Sequence, residues 1–280
     1  MESAHNIDPA TNLIGLTNIP DGSLISGLPC VILINAGFLH RVGPNRLNTD
    51  LARRLAKENF ASLRMDLSGL GDSMSGPATL EDRQIISQDL DKAMEFMQKN
   101  YGLHKYILVG LCSGANDTAI KAIADERVVG LLNIDGVGYR TKRFYVNYVL
   151  QHLLRRAIQP ERWKRLLNRF KEKSQSLEAK QAVRGPLLAN NTAYTDWSCE
   201  QSGEYIQTLA QRGVLMHFIY TGGVTGYYNY RQQFWDMFSA YNLKGMASTS
   251  YFPATDHLNM LQHHRNEMQQ DIIDWAKRSF

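Results

Sequence analysis

The sequence predicts an α/β domain with a mostly parallel central sheet, helices on both faces and a helical insertion late in the chain. Three observations predict it. Strand-like apolar runs alternate with helical patterns of ten to sixteen residues, the signature of parallel strands joined by crossover helices. The first clear run, Cys30-Val-Ile-Leu-Ile, is apolar without alternation, as expected of a strand covered on both faces. And the stretch between residues 135 and 214 is too long for one crossover and carries at least two helical patterns, at 144–156 and 160–173.

In chain order, the run from Cys30 ends at Asn35-Ala-Gly37 and is followed by helical spacing over 48–59, with Asn48 or Thr49 as cap. Phe60-Ala-Ser-Leu-Arg-Met-Asp66 is the next strand, broken by Ser68-Gly-Leu-Gly-Asp-Ser. Helical periodicity returns over 85–100 through Ile86, Leu90, Ala93, Met94 and Met97. Tyr106-Ile-Leu-Val-Gly110 is a strand, Cys112-Ser-Gly-Ala115 a sharp turn, and 116–125 a helix. Residues 128–134 form a strand ending at Asp135-Gly136. Beyond the insertion, 214–220 is a strand ending at Gly222-Gly223, 248–252 is the last strand, and His257 precedes a final helix over 262–277.

Composition bounds the function. The 280 residues are 44% hydrophobic and 21% charged with 8 prolines, which excludes a disordered chain. Three cysteines, Cys30, Cys112 and Cys199, lack a CxxC pair, arguing against a disulfide scaffold or zinc ribbon and suiting a reducing compartment. No apolar run reaches membrane-spanning length and the start lacks a signal-peptide pattern, so a cytoplasmic location is expected. Charge is uneven. Residues 140–184 hold 13 basic and 3 acidic side chains, net +10, while the remainder, with 18 basic and 24 acidic, is net −6. The basic segment has no zinc ligands, RNP-type aromatics or helix-turn-helix glycine, so nucleic acid is not the expected partner. Two readings stay open for it: solvated helical surface, or a docking face for an anionic partner.

Gly110-Leu-Cys112-Ser-Gly114 has the form G-x-C-x-G between a strand and a helix. Small flanking residues there let the central residue take a strained conformation above the sheet, where a helix N-terminus favours a thiolate. A buried cysteine in a tight strand–helix turn is the plainer reading of the same five residues.

The turn resembles the nucleophile elbow of the α/β-hydrolase superfamily, and further motifs extend that resemblance over most of the chain. Asn35-Ala-Gly37 stands where those proteins usually carry His-Gly. Arg64-Met-Asp66-Leu-Ser-Gly69-Leu-Gly71-Asp72-Ser73 resembles their D-x-x-G-x-G-x-S loop, and Ala254-Thr-Asp-His257 the loop that delivers the histidine. The elbow, with Arg41-Val-Gly-Pro44-Asn-Arg46, also resembles bacterial hydrolases and acyltransferases reading G-L-C-S-G-A. The resemblance implies an α/β-hydrolase fold with a helical cap inserted after the sixth strand: core over 1–138, basic cap over 139–203, core again over 204–280.

It also implies roles. Cys112 is the nucleophile, since the spacing puts it rather than Ser113 at the apex. His257 is the base, and the oxyanion hole comes from the N–H of Ser113 with that of Gly37 or Phe38. The family's usual acid position, after the 214–220 strand, reads Thr221-Gly-Gly-Val-Thr-Gly and holds no carboxylate. Asp135 is the substitute, because some members carry the acid one strand earlier. Asp66 and Asp72 are expected to fix their own loop. His40 and Tyr227 are candidates for the substrate pocket. No metal and no dissociable cofactor are expected.

Three functional classes follow. The first is a hydrolase, esterase or thioesterase, working on a small ester or thioester through an acyl-cysteine. The second is an acyl or aminoacyl transferase shuttling groups between acyl or peptidyl carrier proteins, with the basic cap docking the acidic carrier. The third is a non-catalytic binding protein on the same fold, which the missing acid favours. The elbow also occurs in dienelactone hydrolases, so a lactone substrate stays open. Oligomeric state is left open.

Overall fold

A computed structural model describes residues 1–22, 24–25, 27–75, 81–157 and 197–280, with backbone only for 151–157. Eight strands form one sheet in the order β1-β2-β4-β3-β5-β6-β7-β8. The strands are β1 (Glu2–Asp8), β2 (Leu13–Asn18), β3 (Cys30–Leu33), β4 (Ser62–Met65), β5 (Tyr106–Leu111), β6 (Val128–Ile134), β7 (Leu215–Thr221) and β8 (Ala247–Phe252). β2 runs antiparallel to β1 and to β4, and every pairing from β4 to β8 is parallel. The helices are α1 (Leu47–Lys57), α2 (Asp82–Tyr101), α3 (Ser113–Ala124), α4 (Lys142–Ala157), α5 (Cys199–Gln211), α6 (Gln233–Met237) and α7 (Gln262–Ser279).

The uninterrupted apolar runs are explained by two cores, one on each face. In β3, Cys30 and Ile32 enter one core and Val31 and Leu33 the other, and β5 divides its residues the same way, as the two-residue period of a strand requires. The first core is closed by α2, α3 and α5 through Leu90, Met94, Ala119, Ile206 and Leu209. The second is closed by α1 and α7 through Leu51, Leu55, Met268, Ile272 and Trp275.

Four elements lie outside the sequence reading: β1, β2, α5 and α6. β1 reads Glu-Ser-Ala-His-Asn-Ile-Asp and alternates between exposed and half-buried positions, so it offers no apolar run. Its anchor is tertiary, a 2.5 Å ion pair from Glu2 to the guanidinium of Arg64, which is buried in β4. The boundary expected at residue 203 falls within α5, whose Ser202, Gly203, Tyr205 and Ile206 are all buried. Of the two helices expected in the insertion, the first is α4; the one expected over 160–173 lies outside the described residues, as does most of the basic segment. No helix among the described residues is long and apolar enough to cross a membrane.

Candidate active site

The C-terminal ends of the parallel strands meet at one edge of the sheet, where ligands of open α/β sheets bind. Three of those ends supply the residues singled out above. Cys112 follows β5 directly, with φ 58° and ψ −118°, in a region costly for any residue with a Cβ. The surrounding glycines make the turn feasible. A Cβ on Gly110 would meet the carbonyl of Gly114 at 2.2 Å, and one on Gly114 would meet the carbonyl of Asn35 at 2.4 Å. Cys112 is held by its own N–H to the Ile134 carbonyl at 2.9 Å and is followed at once by α3.

Asp135, the first residue after β6, also has positive φ, 49°, and is fully buried. Its carboxylate accepts three hydrogen bonds: Thr221 N–H to Oδ1 at 2.7 Å, Thr221 Oγ1–H to Oδ2 at 2.6 Å, and His257 Nδ1–H to Oδ2 at 2.8 Å. Thr221 ends β7, so the position lacking a carboxylate contributes two donors to the carboxylate of the neighbouring strand. Gly223 leaves room for the histidine loop, since a Cβ there would lie 2.3 Å from the His257 backbone nitrogen.

His257 hydrogen-bonds to Asp135 on one side and to Cys112 on the other. These bonds, Asp135 first, push its pKa from 6.5 up to about 10 against the opposing effect of burial. The ring is therefore an imidazolium through neutral pH, and the cluster can act as an acid and as a counter-ion to a thiolate. The other two cysteines are set apart: burial pushes the thiols of Cys30 and Cys199 upward.

A second loop, residues 35–41, lies against the start of α3. Buried Asp66 organises it, accepting from Asn35 Nδ2 at 3.1 Å, from Arg41 N–H at 2.6 Å, from the Arg41 guanidinium and from Asp72 N–H at 3.1 Å. Asn35 extends the brace by accepting Leu67 N–H at 2.7 Å and donating to the Leu39 carbonyl at 2.7 Å. At its tip, Gly37 N–H donates to Ser113 Oγ at 2.9 Å instead of standing open, and Phe38 is 97% exposed.

Beside the elbow is a cavity of about 280 Å³, lined by Gly37, Phe38 and Ser113 together with Leu67, Leu70, Ile85 and Ile86. Asp117 also faces it, its carboxyl pushed up to about 6 by burial. His40 and Tyr227 do not line this cavity. His40 is exposed and accepts Val42 N–H, and Tyr227 is buried against Asp135, its hydroxyl donating to the Asp135 carbonyl at 2.9 Å. Their places near the 35–41 loop and the strand ends suggested a pocket, and neither lines this cavity.

Thr221 and Asn35 were missed as supports, because a threonine at a strand end and an asparagine two residues before a glycine carry no signal until their partners, 86 and 31 residues away, are known. Among the described residues no three His, Cys, Asp or Glu side chains cluster as metal ligands.

Solved structures share this architecture along nearly the whole chain. An α/β serine hydrolase without a lid from Xanthomonas campestris matches with a TM-score of 0.54 and 14% identity, over 99% of this chain and 94% of that one. A Pyrococcus furiosus esterase gives 0.57 and 13%, over 99% and 90%. The chain has the α/β-hydrolase fold. A Coxiella burnetii homologue of α/β serine hydrolases gives 0.56 and 12%, over 98% and 96%. In sequence, the chain is 30% identical over 88 residues to the uncharacterized protein YcjY of Escherichia coli K12; the match spans 31% of this chain and 29% of that protein's length. No protein-family model matches it.

Proposed function

We propose that the protein is an acyl-transfer enzyme in which Cys112 forms an acyl-thioester intermediate, most simply a hydrolase of small esters or thioesters. The observation that carries this reading is the single cluster at the sheet edge: a cysteine in a strained elbow backbone, hydrogen-bonded to a histidine that is itself bonded to a buried aspartate. In the reaction, Cys112 Sγ, as thiolate, attacks the carbonyl carbon. The S–C bond forms and the carbonyl π pair moves onto oxygen. Collapse returns that pair and breaks the bond to the leaving group, which departs with the His257 proton. His257 then accepts a proton from water as it attacks the thioester, and Cys112 leaves as thiolate. A histidine that is cationic at neutral pH suits a thiolate partner better than a serine hydroxyl, which would need it as a base. The binding-protein alternative drew on a missing acid; the hydrogen bond between His257 and the carboxylate of Asp135 supports the acyl-transfer reading instead.

Intact mass spectrometry after mixing with short-chain acyl thioesters tests the reading. An acyl mass on Cys112 that decays to free acid is the expected result, absent in Cys112→Ala. An adduct that persists until an acceptor is added would make the enzyme a transferase. No adduct on the native protein would overturn the reading.

A further inference from the structure

Ser113 opens α3 immediately after the elbow, one residue past the N-cap, Cys112, so its hydroxyl is not placed to cap the helix. It turns instead across 76 residues of sequence to accept Gly37 N–H at 2.9 Å. A hydroxyl has one proton and two lone pairs. One lone pair is taken by Gly37, and the proton has no acceptor among the described residues. Ser113, Gly37 and Phe38 all line the cavity, and Ser113 directly follows Cys112 in the chain. Gly37 N–H is thus occupied by the serine oxygen. An O–H whose oxygen already accepts an N–H is the stronger donor for it.

We propose that the Ser113 hydroxyl is itself an oxyanion-hole donor, polarised from behind by Gly37 N–H and acting beside the N–H groups of Ser113 and Phe38. The assignment rests on the reading of Cys112 as nucleophile. As the Sγ–C bond forms and the carbonyl pair moves onto oxygen, the O–H···O⁻ hydrogen bond shortens. No proton is transferred to that oxygen, and the bond relaxes when the intermediate collapses. Ser113 is then a catalytic residue through its side chain as well as its backbone.

Two reactions at the same thiol separate this role from any effect on the thiol itself. Acylation by p-nitrophenyl butyrate, read as the nitrophenolate burst, passes through an oxyanion. Alkylation by iodoacetamide displaces iodide from a tetrahedral carbon and does not. Ser113→Ala is expected to slow acylation about 100-fold, the scale of one lost oxyanion donor, with alkylation of Cys112 changed by less than about twofold. Ser113→Thr, which keeps the hydroxyl, should recover most of the acylation rate. Unchanged or faster acylation in Ser113→Ala would overturn the proposal, since Gly37 N–H would then serve better directly. Parallel loss of both rates would also overturn it, assigning Ser113 to the thiol or the fold. A native protein that alkylates at Cys112 but never acylates would instead remove the nucleophile reading, and the Ser113 role with it.

Discussion

The two strand ends that carry Cys112 and Asp135 solve one backbone problem in opposite ways. Each is a single non-glycine residue at positive φ, 58° and 49°, directly after a buried parallel strand. At Cys112 the strain is accommodated by space: glycines on either side let the chain turn sharply and leave the side chain half-exposed. At Asp135 it is held by bonds, with three donors on a carboxylate that no solvent reaches. On the proposed reading, Cys112 as nucleophile has to be approached, whereas Asp135 as orienting acid has to be immobile and dry. The backbone conformation is shared, and the surroundings set the task.

The contrast breaks most severely at the acid. Asp135→Asn should lower the acylation rate about 100-fold, less than the roughly 10⁴-fold known for the equivalent change in a serine protease, because a thiolate–imidazolium pair depends less on its orienter. A stopped-flow burst that matched the native protein would remove Asp135 from the site. At the elbow, Gly114→Ala forces a Cβ against the Asn35 carbonyl and should cost about 1–3 kcal/mol in urea unfolding, with a further loss of rate as loop 35–41 is displaced. Thr221→Val deletes one donor to the carboxylate while keeping the shape, and a loss of about 1 kcal/mol of stability and about tenfold in rate is expected. If Thr221→Val matches the native protein in both, the backbone N–H alone holds Asp135.

Acidity sharpens the same comparison. His257 has a folded pKa of about 10 against an ordinary 6.5, so its pairing stabilises the folded state most below about pH 6.5, and that stabilisation is lost as pH rises through about 10. Urea midpoints of the native protein and Asp135→Asn, followed from about pH 6 to pH 10.5, should therefore converge as pH rises. Midpoints that diverge at high pH would show that the histidine is not held as a cation.

The buried parallel strands, the crossover helices and the elbow were legible because each is encoded by neighbouring residues: apolar runs, helical spacing, and glycines two positions from Cys112. The β1–β2 hairpin was not legible, since its anchor is an ion pair between residues 62 positions apart. Asp135 could be chosen by position but not bonded to anything, because its donors Thr221 and His257 lie 86 and 122 residues away. The contact of Gly37 with Ser113 was invisible for the same reason. It redirects an N–H that the family resemblance offered to substrate.

The sheet order has a last consequence, for how the protein could be divided. β6 and β7 are immediate neighbours, paired in parallel from Gly130–Leu215 to Ile134–Ile219, although about 80 residues of chain separate them. A cut anywhere in that intervening stretch yields one fragment with Cys112 and Asp135 and another with Thr221 and His257. Neither half contains the whole cluster, and the seam between them is a strand pair closed by the bonds of Asp135. If the proposed acylation of Cys112 is regained on mixing the two halves, it would therefore count reassembled sheets, making the protein its own reporter of complementation.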